Sequence, residues 1–183
     1  MKTLKAIAAL SLLVLSLSVT AAPIMGTIDF NSLTGWSPTG GAIGSATGID
    51  FVANTNSGSV TSGTGTFAGT VGASADFSDF TFDPLAMGTQ LWTFDDAGVT
   101  YTLVMNSLTL NFQNAGAGLI SLAGTGTLSA TGYDDTAGKW NISLNKTTGS
   151  AGSFSSSAVP EPAVLGLLGL GLVGLGLRRK FQS

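Results

Sequence analysis

The chain has 183 residues, room for one ordinary domain, and a net charge of −3. It contains neither cysteine nor histidine. That excludes disulfides, thiolate nucleophiles, Ser-His and Cys-His relays, and metal centres built on Cys or His. Charge is uneven as well: between Ala22 and Ala158 nine aspartates face two cations, Lys139 and Lys146. Such a surface repels nucleic acid and anionic membrane.

The first 21 residues have a short basic start (Lys2, Lys5), an apolar run from Ala6 to Val19, and small residues at the end. This is the anatomy of a secretory signal peptide, expected to be cut at Ala21 or Ala22. A cut after Ala22 would place Pro23 next to the scissile bond, so the cut after Ala21 is the better reading. The alternative, a permanent N-terminal anchor, suffers from an apolar run short for a span.

From Ile24 the texture changes to Gly, Thr, Ser and Asn interleaved with single apolar residues. No window carries apolar residues at helical spacing, whereas period-two alternation recurs. Strands are expected over Gly26–Phe30, Gly48–Ala53, Ser59–Phe67, Asp76–Phe82, Gln90–Phe94, Val99–Met105, Ser107–Gln113, Gly118–Ala130 and Lys139–Leu144. Their even spacing predicts an all-β fold, an antiparallel β-sandwich or a barrel-like variant, over residues 22–146.

Two loops, Asp95-Asp96-Ala97-Gly98 and Asp134-Asp135-Thr136-Ala137-Gly138, sit between alternating runs bracketed by aromatic residues. Asp opens a turn by bonding its own backbone and Gly closes it with a positive φ, so both predict hairpins closed with a bulge. The segments Thr61–Thr70 and Leu122–Thr131 both alternate Thr with Gly, which leaves one face bare for close approach of another layer. Their likeness raises an internal duplication, weighed against shared strand composition. Trp36, between Gly35 and Pro38, is the aromatic least expected in the core.

Chemistry in this body would fall to carboxylates. Asp76, Asp79 and Asp83 cluster in sequence, and Asp95, Asp96, Asp134 and Asp135 occupy the hairpin loops, where weak calcium binding is conceivable though no calcium-loop motif is present. The simpler reading is turn-forming, solubilising aspartates and no cofactor. A glycosidase would need two facing carboxyl groups, and nothing selects such a pair; the body has no Glu at all. The expectation is a protein that is not an enzyme. A sugar-binding module is the alternative, with Trp36, Trp92, Tyr101, Tyr133 and Trp140 stacking on sugar faces, and a polysaccharide hydrolase comes third. Two glycosylation-type triplets, at Asn141 and Asn145, are too common a pattern to weigh.

Residues 147–158 are Gly/Ser-rich and read as a flexible spacer. The last stretch, 159–183, has three parts: Val159-Pro160-Glu161-Pro162, a wholly apolar Ala163–Leu177, and Arg178-Arg179-Lys180. The apolar part carries five glycines. As a helix it would be about 22 Å long, short of the roughly 30 Å hydrocarbon core. It could span with a thinned bilayer, its basic end kept cytoplasmic. The prolines break helix on either side of Glu161 and hold it extended.

In that order the three parts resemble the PEP-CTERM sorting signal of Gram-negative bacteria. The resemblance implies recognition of Val159, Pro160, Glu161 and Pro162 by an exosortase-type membrane enzyme. It further implies transient residence in the inner membrane, with Arg178, Arg179 and Lys180 as the stop. Cleavage near the motif and delivery to the cell surface or an exopolysaccharide matrix would follow. An ordinary single-span anchor is the competing reading. The body is similar to the uncharacterised β-rich bodies found on such tails, a likeness that brings no activity with it.

Overall fold

The computed structural model describes residues 21–31, 33, 35–51 and 57–146. The signal segment up to residue 20, the spacer and the sorting tail lie outside these residues, and with them the signal-peptide helix and the short C-terminal hydrophobic helix that the sequence predicts.

Among the described residues thirteen strands follow one another: β1 (Ala22–Pro23), β2 (Ile28–Asn31), β3 (Trp36–Thr39), β4 (Gly48–Phe51), β5 (Gly58–Gly63), β6 (Ser74–Phe77) and β7 (Phe80–Thr81). Then come β8 (Gln90–Asp96), β9 (Val99–Met105), β10 (Thr109–Asn114), β11 (Leu119–Ala130), β12 (Tyr133–Asp134) and β13 (Thr136–Asn145). The fold is all-β, as the period-two pattern requires. Among the described residues the one helical element is a 3-10 turn at Gly65–Phe67.

Eight strands make a curled, antiparallel sheet with β11 as its longest member. β13 pairs one edge of β11 from Leu119 to Leu128. On the other edge β10 takes the first half and β9 the second. From β9 the sheet runs on through β8, β6 and β5 to β2. A separate three-stranded sheet, β3-β4-β7, shares the same hydrophobic core, and β1 pairs in parallel with β12. One large curled sheet with a small companion thus replaces the two comparable layers of a simple sandwich.

Alternation sets the inner face. On β13, Thr136, Gly138, Trp140, Ile142 and Leu144 are buried while most of their neighbours are exposed. On β11, Ile120, Leu122, Leu128 and Ala130 are buried and their neighbours half-buried, so the same alternation points one face to the core. The bare glycine face on β11 is filled by a neighbouring strand of the same sheet, not by another layer. A Cβ on Gly124 would lie 2.8 Å from the Trp140 ring and 2.0 Å from the Ser107 carbonyl oxygen. The bare face therefore admits an indole, whose Nε1 donates to Thr125 O at 3.2 Å.

With no disulfide to hold it, the core rests on aromatic contacts. Phe51 of the small sheet lies 5.5 Å from Phe77, and Phe77 meets Phe30 edge-on at 5.4 Å. Phe30 touches Trp92 (5.2 Å) and Phe94 (6.0 Å). Phe94 stacks on Tyr101 at 4.8 Å, and Tyr101 reaches Phe67 at 5.5 Å. This continuous row ties the small sheet, the curled sheet and the 3-10 turn together. Each pair adds about 0.5–1.5 kcal/mol beyond simple burial.

Several local expectations are corrected. Trp36 is buried, 1% exposed, and begins strand β3. Pro38 is compatible with that strand because β3 is an edge of its sheet. The Lys146 ammonium lies 4.8 Å over the Trp36 ring and also donates to the Trp36 carbonyl. The expected strand Ser59–Phe67 stops at Gly63, since Gly65 takes φ +59° and opens the 3-10 turn that buries Phe67. Asp76–Phe82 divides in two: β6 stays in the curled sheet and β7 crosses to the small one.

The duplication idea also fails, because Thr61–Thr70 contains the end of β5 and a 3-10 turn, whereas Leu122–Ala130 is continuous strand. The hairpin at Asp95–Gly98 forms but has no bulge at its turn. Asp96 pairs directly with Val99, and Ala97 (φ 48°) and Gly98 (φ 84°) make a two-residue loop. In the second hairpin Gly138 pairs with Gly126 inside the ladder, and the positive φ belongs to Gly132 at 87°.

Candidate functional site

The sorting residues Val159, Pro160, Glu161, Pro162, Arg178, Arg179 and Lys180 lie outside the described residues. Of the two cleavage candidates, Ala21 is half-buried and precedes the sheet, while Ala22 is already in β1, opposite Tyr133. The next residues are firmly held: Ile24 is 1% exposed, and its N–H donates to Thr136 Oγ1 at 2.9 Å.

The two acidic hairpin loops come to the same end of the curled sheet. Thr131 N donates to Thr100 O at 3.2 Å, and Thr100 N donates to Thr131 Oγ1 at 3.3 Å. Asp95 Oδ1 accepts from the Thr100 hydroxyl, a turn-stabilising bond. Asp95, Asp134 and Asp135 are exposed and Asp96 is half-buried. Among the described residues no three carboxylates gather into a group that could hold a metal ion.

The aromatic platform of the alternative sugar-binding reading does not form among these residues. Trp36, Trp92, Tyr101 and Trp140 are core residues, and half-buried Tyr133 packs against that core. Tyr101 and Trp140 take the inward positions of the alternating strands β9 and β13. Tyr101 donates its phenol to Thr66 O at 3.4 Å. Burial, followed by the nearby Tyr133 and Asp96 charges, raises its pKa above the usual 10.0.

A different feature appears on the small sheet. A cleft of about 290 Å³ opens between β3, β4, β7 and the Ala86–Thr89 loop. Its polar wall is Thr39, Asp50, Asp79, Thr81 and Thr89; Ile49, Phe80 and Ala86 make the apolar part. Asp79 reaches it because the chain leaves β6 there to cross between sheets, and its Oδ1 accepts from Phe51 N at 2.7 Å. Thr81 Oγ1 donates to Pro84 O at 3.1 Å, and Thr89 Oγ1 donates to Ala86 O at 2.7 Å. Asp50 sits on β4 opposite Ser37 and is half-buried. Of the three sequence-clustered aspartates only Asp79 lines the cleft; Asp76 lies on β6, and Asp83 is exposed after β7. Sequence reasoning missed Asp50, which no motif marks.

Taken together, the chain joins an all-β, acidic body to a C-terminal address. Residues 158–180 match the family described as the PEP-CTERM protein-sorting motif, so the chain carries that motif at its C-terminal end. The match starts one residue before Val159 and ends on Lys180, covering the motif, the apolar segment and the basic stop. No curated protein and no solved structure matches the chain.

Proposed function

We propose that this is an exported protein whose C-terminal tail is gripped and cut by an exosortase-type membrane enzyme. The cut releases the β body to the cell surface or an exopolysaccharide matrix, where it serves a structural, non-enzymatic role. The single observation that carries the reading is the sorting motif at residues 158–180. Three further features support it. Five glycines weaken Ala163–Leu177 as a permanent span. The acidic body, with nine Asp against two Lys, resists sticking to anionic membrane. The absence of His and Cys from the chain, and of Glu from the body, leaves little for catalysis.

The test is replacement of Pro160, Glu161 and Pro162 by alanine, followed by cell fractionation. The altered protein should accumulate in the membrane fraction at the expense of the extracellular one. Unchanged release of the altered protein would contradict the proposal.

A further inference from the structure

We infer that β10 is an association edge, to which a second copy of this chain adds its own β10 in antiparallel register. Native sheets guard their edge strands with charged side chains, proline or very short strands, because open backbone groups there invite another strand. Among the described residues the other edges follow that rule. β1 contains Pro23, β2 Asp29, β3 Pro38, β12 Asp134 and β13 Lys139. β7 is two residues long and follows Asp79 directly. β10, Thr109-Leu110-Asn111-Phe112-Gln113-Asn114, has neither charge nor proline, and five of its six residues are exposed. It lies within residues 97–133, where the chain carries no charged side chain at all.

β10 carries a bulge, and this bulge turns an apolar side chain outward. Leu110 pairs with Leu122 and Phe112 with Ser121, so Asn111 is the extra residue between them. Paired residues share a face of the sheet. Leu122 is buried on the core side, whereas Ser121 lies on the outer side. Without the extra residue Phe112 would follow Leu110 to the core side; with it Phe112 stands on the outer face, 45% exposed.

Backbone direction fixes how a partner strand would meet it. Thr125 O accepts from Asn106 N and Ser107 N, so Thr125 turns its backbone away from β13. The register of β11 with β13 is unbroken, so Ser121 turns the same way, toward Phe112. On its open side Phe112 therefore takes a non-hydrogen-bonded position, and Gln113 turns its N–H and C=O outward. Asn111-Phe112-Gln113 reads amide, ring, amide in either direction. About a two-fold axis Phe112 faces Phe112, and Asn111 faces Gln113 on both sides. The facing rings make an aromatic cross-strand pair. That self-match selects a second copy over a foreign strand. Charge agrees, since two bodies with nine aspartates and two lysines each meet there without opposing carboxylates. Six residues a side is far fewer than the roughly 20–30 of a standard interface, so the association is weak and concentration-dependent.

The chain has no cysteine, so Phe112→Cys installs a single thiol that reports the contact. A non-hydrogen-bonded antiparallel pair holds its Cα atoms about 4.5 Å apart, within the reach of a disulfide. Mild oxidation of the full-length variant in detergent should give a disulfide-linked dimer. Asp135→Cys, exposed beyond the other end of β11, should stay monomeric under the same conditions. In sedimentation at rising concentration the wild type should pass from monomer to dimer. Phe112→Lys should weaken that association about tenfold or more, because it sets like charges directly opposite each other. Its melting temperature should match the wild type, since the replaced side chain is exposed. Equal cross-linking of the two cysteine variants would overturn the inference, as would a wild type that stays monomeric. Association unchanged by Phe112→Lys would place the contact elsewhere on the chain, the tail included, and overturn it too. Neither measurement depends on export or cleavage, so the result stands apart from the sorting proposal.

Discussion

Phe30 touches Phe77, Trp92 and Phe94, three aromatic residues from two neighbouring strands. Truncating it to alanine removes a fully buried ring at the centre of the aromatic row. The expected cost is about 3–5 kcal/mol, read as a lower urea midpoint at unchanged slope. Ser57 is a subtler case: it is 1% exposed, and its Oγ accepts from Phe77 N at 2.8 Å. Ser57→Ala leaves that buried N–H without its acceptor and should cost about 1–3 kcal/mol. Tyr101 supplies the pH handle. Its pKa is raised in the folded state, so the native protein holds the phenolic proton more tightly than the unfolded chain does. That contribution to stability is complete below pH 10.0 and is lost as pH rises through the folded value. Tyrosinate absorbance at alkaline pH should include one component titrating late, and Tyr101→Phe should delete it.

Elements carry the next lesson, beginning with the β8–β9 turn. Ala97 at φ 48° occupies a conformation that L-residues adopt at a cost of about 1–2 kcal/mol. Ala97→Gly should raise stability, by about 0.5–1 kcal/mol once glycine's freedom in the unfolded chain is set against the relief. Gly124→Ala should act in the opposite sense, because its methyl would meet backbone at Ser107 and the ring of Trp140. A loss of about 1–3 kcal/mol is expected, with changed Trp140 fluorescence.

β9 and β13 were legible because their buried positions recur at every second residue, and the β8–β9 turn declares itself with Asp and Gly. The region before residue 90 was harder for identifiable reasons. Gly35 borders the edge strand β3 and Pro38 lies within it, although neither residue favours a strand, and Gly65 broke a run whose Gly-Thr-Gly-Thr text recurs in β11. The crossing at Ser78–Asp79 has no composition signal. The cleft was invisible for the same reason, since Asp79 joins Thr39 and Asp50 only through the pairing of β7 with the non-consecutive β4.

At the scale of the whole molecule, the body and the tail answer different questions. Among the described residues the body is a β fold with most of its aromatics in the core, Phe112 on β10 being exposed, and a cleft open on the small sheet. The tail carries the sorting motif, legible from sequence because its three parts are marked by local composition: a Pro-Glu-Pro run, a short apolar segment and a basic cluster. The central claim is that this tail is removed when the protein is delivered. Intact-mass analysis of the extracellular protein measures it directly. The account predicts a chain that begins at Ala22 and ends upstream of Arg178, without Arg178, Arg179 and Lys180. An extracellular protein still ending at Ser183 would contradict it.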